Sequence, residues 1–136
     1  MVRKGFRYYI NPVAGIRRKL QQVEAKEINA MAIPWIRNYE DDDFFLFIHY
    51  WDPHSLYLPP EPYRRLFYKG NESDPENHSL DVLKSQPVWP YTKRHLDFIG
   101  RDITDINYVI AQYDGEIHYA DDNVGKLLNV LEDLGI

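Results

Sequence analysis

One stretch of this chain, Phe44-Phe45-Leu46-Phe47-Ile48, reads as a buried β-strand, an unbroken aromatic and aliphatic run with acids before it and Pro53 after it. No other stretch reads that way. A lone strand leaves its backbone donors and acceptors unpaired, so this run calls for partner strands that the remaining residues do not read as supplying. The expectation is an α/β sheet domain represented in part, ordered helix, strand, loop and long helix, and incomplete on its own.

The other elements are helical. Ile106, Val109, Ile110, Tyr113, Ile117, Ala120, Val124, Leu127, Leu128, Leu131 and Leu134 step by three or four, which predicts one amphipathic helix over about 104–134. Thr104 or Asp102 is the expected N-cap and Gly135 the residue that ends it. Gly115 and Gly125 weaken that helix by about 1 kcal/mol each relative to alanine, so both are expected where a neighbouring element packs closely. An earlier helix spans Val23 to Tyr39, with a kink or break expected near 30–33 because Pro34 removes a backbone donor.

Between these, Leu58-Pro59-Pro60-Glu61-Pro62 must run as a loop, and Tyr63–Phe67 suits a short helical turn. Residues 69–102, with Gly70, Pro75, Pro87, Pro90 and Gly100, read as a long excursion, with one short helix over Lys93–Ile99. Excursions of that length in a compact domain are functional or pack against something else. Residues 1–19 read as extended chain and turn.

The chain has 136 residues, 44% of them hydrophobic, enough for one core. With 16 basic against 21 acidic residues, and the basic ones scattered, nucleic acid is not an expected partner. The absence of cysteine excludes a disulfide, a thiolate metal site and a cysteine nucleophile within the chain. No stretch approaches the roughly 20 apolar residues that span a bilayer, and Met1–Arg7 does not resemble a signal peptide.

Chemistry concentrates at the carboxyl end of the expected strand, where open α/β sheets place their ligands. His49-Tyr50-Trp51-Asp52-Pro53-His54 carries two imidazoles and a carboxylate close enough to converge as an acid/base pair or as metal ligands. Alternation along the strand favours a core position for His49, or one that holds another residue, over direct substrate contact. His54 follows a proline past the strand end, where packing calls for no imidazole, and is the strongest site candidate. Asp52 suits a substrate contact or a turn residue equally, and Tyr57, among prolines, suits a cleft wall or a sheet cover.

On the long helix, Asp114, Glu116, His118, Asp121 and Asp122 include pairs at ligand spacing. They lie off the apolar stripe, so a solvated face is the preferred reading, as it is for the acidic turn Glu40–Asp43.

Two blocks in this order carry a family resemblance. Asp43-Phe44-Phe45-Leu46-Phe47-Ile48-His49-Tyr50-Trp51-Asp52-Pro53-His54 through Pro60, then Tyr113-Asp114-Gly115-Glu116-Ile117-His118-Tyr119-Ala120-Asp121-Asp122 through Leu128, resemble the middle of a sulfatase of the alkaline phosphatase superfamily. The resemblance covers about 4–136 and implies a partial catalytic domain, with strand and histidine loop over about 44–60 and a variable excursion over about 69–102.

It further implies a sulfuric ester hydrolase acting on a sulfated small molecule or saccharide. In the intact enzyme it implies a formylglycine nucleophile and a divalent cation, usually calcium, neither bound by this chain alone. His54 matches the family's histidine that serves the sulfate or its leaving oxygen, and no other residue of the family's site maps cleanly onto this chain. Asp52, His49 and Tyr57 are substrate-binding candidates on the reading of the residues alone.

The family's Cys/Ser-x-Pro-x-Arg motif is absent, since Ser85-Gln86-Pro87-Val88-Trp89 ends in tryptophan, and its aspartate metal ligands have no counterpart. Leu56 stands where proline is common, and Arg7 where an acid often follows Gly-Phe. No sulfatase activity is therefore expected of the isolated chain, and other parts of the catalytic domain are expected to complete the sheet. A phosphodiesterase or phosphonate hydrolase of the same superfamily, or a non-catalytic saccharide- or partner-binding module, are the alternatives.

Overall fold

A computed structural model describes residues 5–12, 23–54, 56–99 and 102–136. The basic triplet at 17–19 and Gly100 lie outside them. Three α-helices order the described chain: α1 (Ala25–Asn38), α2 (Trp89–Ile99) and α3 (Ile106–Leu134), with 3-10 turns at Tyr63–Arg65 and Ser79–Leu83. The chain divides into two compact units, one of the described residues up to Trp51 together with Lys126–Ile136, the other Asp52–Gly125.

In the first unit α1 opens on a capping box between Glu24 and Glu27, with the Glu24 N–H donating to Glu27 Oε2 at 3.0 Å. Its buried residues are Ala25, Asn29 and Ile36, on a helix that continues through Pro34. The expected break does not occur. Pro34 and Ala30, whose carbonyl the ring would deprive of a donor, are both exposed, so water can serve that carbonyl.

The expected strand is not seen either, because no strand is paired among the described residues and 44–51 runs as irregular chain. An extended run becomes a strand only by exchanging hydrogen bonds with another, and none is offered here. What holds this run is aromatic contact with α1. Trp35 packs on Tyr39 with centroids 4.7 Å apart and meets Phe44 edge-on at 5.3 Å, while Phe6 and Phe45 stand 6.0 Å apart. Tyr50 donates to Asn29 Oδ1 at 2.5 Å, and its burial pushes the phenol pKa up.

The second unit has a core of Tyr68, Leu80, Leu96, Ile103, Tyr108 and Ala111. Its excursion is folded and stitched to the start of α3. Glu72 O accepts the Thr104 N–H at 2.8 Å, Thr104 O accepts the Leu80 N–H at 3.1 Å, and Thr104 Oγ1 donates to Asp74 O at 2.7 Å. α2 begins four residues before the expected Lys93 because Pro90 falls in its first turn, where a missing N–H breaks no helical bond.

The cap of α3 is Asp105, not Thr104 or Asp102. Its Oδ1 accepts the Asn107 N–H at 2.9 Å and Ser79 Oγ accepts the Ile106 N–H at 3.0 Å. Asp105 Oδ2 takes a hydrogen bond from Tyr68 at 2.9 Å. Burial pushes the Asp105 carboxyl up, but the bonds from Asn107, Tyr68 and Ser79 outweigh it and hold the pKa below the usual carboxylate value.

Candidate functional site

The histidine loop begins at Asp52, joined to Pro53 by a cis peptide, and a second cis bond joins Glu61 to Pro62. Prolines at 53, 59, 60 and 62 leave the segment unable to continue a helix or a central strand, so its order comes from what it lies against. It lies against α3. The Leu58 N–H donates to Glu116 Oε1 at 2.8 Å. Pro59 is fully buried, and a Cβ added to Gly115 would stand 3.0 Å from Pro59 Cγ and 2.8 Å from the Tyr63 carbonyl oxygen.

The same face of α3 holds the next residues. Gln112 Nε2 donates to Arg64 O at 2.9 Å, and Tyr63 donates to Asp122 Oδ2 at 2.6 Å. The Tyr63 ring meets Tyr119 at 5.2 Å and His118 at 5.7 Å. The Asp122 hydrogen bond, helped by burial, pushes the Tyr63 phenol pKa up.

Of the residues expected to form a site, the second unit holds three. His54 is exposed, while Asp52 and Tyr57 are half-buried. Tyr57 packs between Tyr113 at 5.1 Å and His95 at 5.3 Å. His95 is buried, and burial lowers its pKa, which favours the neutral imidazole.

His49 belongs to the first unit. The core position expected for it is not found, because without a sheet the alternation of 44–49 has no interior to address. Its ring is exposed and stands 6.1 Å from Trp51.

The acidic group on α3 corrects the reading of a solvated face at two positions. Glu116 is 5% exposed, and Asp122 accepts from Tyr63. The rest follows it more closely: Asp121 is exposed, and His118 Nδ1 is 4.0 Å from Asp122 Oδ1. A shallow groove of about 380 Å³ is lined by Phe67, Asp114, Ile117, His118 and Asp121.

Gly115 makes the close contact expected of it and Gly125 does not, since a Cβ there would meet nothing within 4 Å. Sequence reading missed Gln112, His95 and Glu116 as buried polar groups. The one available signal was Glu116 beside Gly115, a carboxylate placed where the helix allows backbone to approach.

The family model described as Sulfatase matches residues 3–136, nearly the whole sequence. No curated protein and no solved structure matches the chain. The chain belongs to the sulfatase family.

Proposed function

We propose that this member of the sulfatase family serves sulfuric ester hydrolysis by presenting His54 to the leaving-group oxygen of a sulfate ester. The observation that carries the reading is an exposed imidazole at the head of a loop whose following residues are fixed to α3 through Leu58, Pro59 and Tyr63. An imidazole so held is available to solvent and to a substrate while its backbone is restrained, which is what a positioned proton donor needs. The family match supports the reaction class, and a sulfated small molecule or saccharide is the substrate class proposed.

As water, or a nucleophile supplied from outside residues 1–136, forms the new bond to sulfur, the ester S–O bond breaks, its electron pair goes to the leaving oxygen, and His54 gives the proton that turns that oxygen into an alcohol. Asp52, two residues earlier, and Tyr57, three residues later, are proposed to orient the ester beside it. In the alkaline phosphatase-like α/β arrangement proposed for the intact domain, 44–48 would be a sheet strand leading into this loop.

The family's other requirements are a formylglycine and a divalent cation, usually calcium. The chain contains no Cys/Ser-x-Pro-x-Arg motif from which a formylglycine could form. Among the described residues no three His, Cys, Asp or Glu side chains come together as a cation would require. The residues present do not fit the cation, and no step of the proposal runs through it. Among the described residues no helix is long and apolar enough to cross a membrane.

His54→Ala in the complete enzyme tests the proposal. Loss of a general acid lowers kcat by about 10² or more, and the loss should shrink for aryl sulfates whose leaving group needs no proton. An unchanged kcat on an alkyl sulfate would reduce His54 to a loop residue.

A further inference from the structure

Glu116 is a buried carboxylate with no place in the proposed proton transfer, yet one of its oxygens receives a backbone N–H from the loop that carries His54. Burying a carboxylate is costly unless hydrogen bonds replace water, so its presence on an otherwise ordinary helical face needs a compensating partner. The Leu58 N–H is such a partner, four residues beyond His54. It belongs to a loop which, between its prolines, has no regular pattern to absorb that donor.

The contacts flanking this bond form a single track along α3. Gln112 holds the carbonyl of Arg64, Gly115 admits the Tyr63 carbonyl and the Pro59 ring, Glu116 holds the N–H of Leu58, and Asp122 holds the Tyr63 hydroxyl. Residues at 112, 115, 116, 119 and 122 share one side of a helix by its 3.6-residue period. Most of these contacts grip 59–64, downstream of the turn. The hydrogen bond from the Leu58 N–H joins this track to the histidine loop four residues beyond His54, so the rigid helix acts on the loop's backbone there.

We infer that Glu116 is a positioning residue for His54: its carboxylate, seated beside Gly115, pins the Leu58 amide and thereby fixes where the histidine loop presents its imidazole. The inference rests on the assignment of His54 to the sulfate ester, but its physical content, a carboxylate setting the position of a loop, can be read separately.

The test is heteronuclear NMR of the full chain and of its Glu116→Ala and Glu116→Gln variants, following the Leu58 amide and the His54 ring. In Glu116→Ala the Leu58 amide exchanges about tenfold faster, as loss of a charge-assisted hydrogen bond implies, and the His54 ring resonances move. The amides of Tyr108 and Ala111 in the core keep their protection. In Glu116→Gln a neutral oxygen still accepts, so the Leu58 proton shifts upfield while the His54 ring returns most of the way to its original resonances.

A purely stabilising role would speed exchange at Tyr108 and Leu58 alike and leave the His54 ring where it was, and that result overturns the inference. So does a Leu58 amide that changes while the His54 ring does not. If Glu116→Ala does not fold, Glu116→Gln decides, because an unshifted Leu58 proton there shows that the carboxylate is not its acceptor. His54→Ala in the complete enzyme isolates the functional reading: an unchanged kcat on an alkyl sulfate there, beside a His54 ring that responds to Glu116, sinks the sulfate assignment and leaves the positioning role standing.

Discussion

Glu116 is 5% exposed and Phe45 is 78% exposed, each the reverse of what its side chain would choose on transfer from water. The two sit in differently built regions. Around Glu116, α3 supplies a continuous helical face on which a proline-bound loop can deposit its backbone groups, and the Leu58 N–H, the Arg64 carbonyl and the Tyr63 hydroxyl each meet a side chain of that helix. Around Phe45, the chain is irregular and no strand is paired among the described residues, and aromatic contacts with Phe6 and with α1 support it. Burial here follows the partner on offer more than the hydrophobicity of the residue. A carboxylate can sit inside where backbone donors reach it, whereas a phenylalanine stays out where no layer covers it.

The largest effect expected of this contrast is at the glycines of α3. Gly115→Ala should destabilise the chain by about 2 kcal/mol, because the new methyl would stand 2.8 Å from a backbone carbonyl that cannot rotate away. Gly125→Ala should stabilise it by about 0.5–1 kcal/mol, the ordinary helix-propensity gain where nothing is crowded. Urea unfolding of both variants measures the pair. Two substitutions of the same sign would mean that the loop does not dock on α3 at Gly115.

A smaller effect is expected from pH, and it reports on the polar stitching of the second unit. Burial, then the hydrogen bond to Asp105, raises the Tyr68 pKa from 10.0 to about 12. A pKa raised on folding means that the neutral phenol is favoured in the fold. Its contribution is fully present below pH 10 and is lost as pH climbs from 10 towards 12. Asp105 has the opposite sign: its lowered pKa gives a contribution present above the ordinary carboxylate value of 3.8 and lost as pH falls through the folded value. Melting temperature should therefore fall on both flanks, and Tyr68→Phe should remove the alkaline fall attributed to the phenol. An alkaline limb that survives in Tyr68→Phe assigns it to another group.

The same contrast explains what could be read in advance. The period of α3 was legible because a stripe stepping by three and four from Ile106 to Leu134 fits only a helix. The loop was legible because four prolines between 53 and 62 forbid anything else. His54 stood out for following one of them, and it is exposed.

Glu116, Asp122 and Gln112 were hidden because binary patterning assigns every polar residue off the stripe to water, and the partners that bury them are 48 to 59 positions away in sequence. Asp105 was passed over as a cap because its neighbours Thr104 and Asp102 offer the same chemistry, and only the path of 72–80 decides among them. His49 could not be placed at all from alternation, since alternation has meaning only when a sheet gives it two faces.

The smallest expected effect bears on the exposed side of the comparison. Phe45→Ser should change stability by no more than about 0.5 kcal/mol, since the residue is 78% exposed and its ring approaches Phe6 only to 6.0 Å. A cost of about 2 kcal/mol or more is the scale of a buried aromatic side chain, and it would mean that the run 44–48 is covered in the protein in solution. The burial expected of a strand would then be recovered, with the covering layer as the next thing to find. Concentration separates its source: if a second copy supplies the cover, the cost grows as protein concentration rises, because association stabilises only the unsubstituted chain.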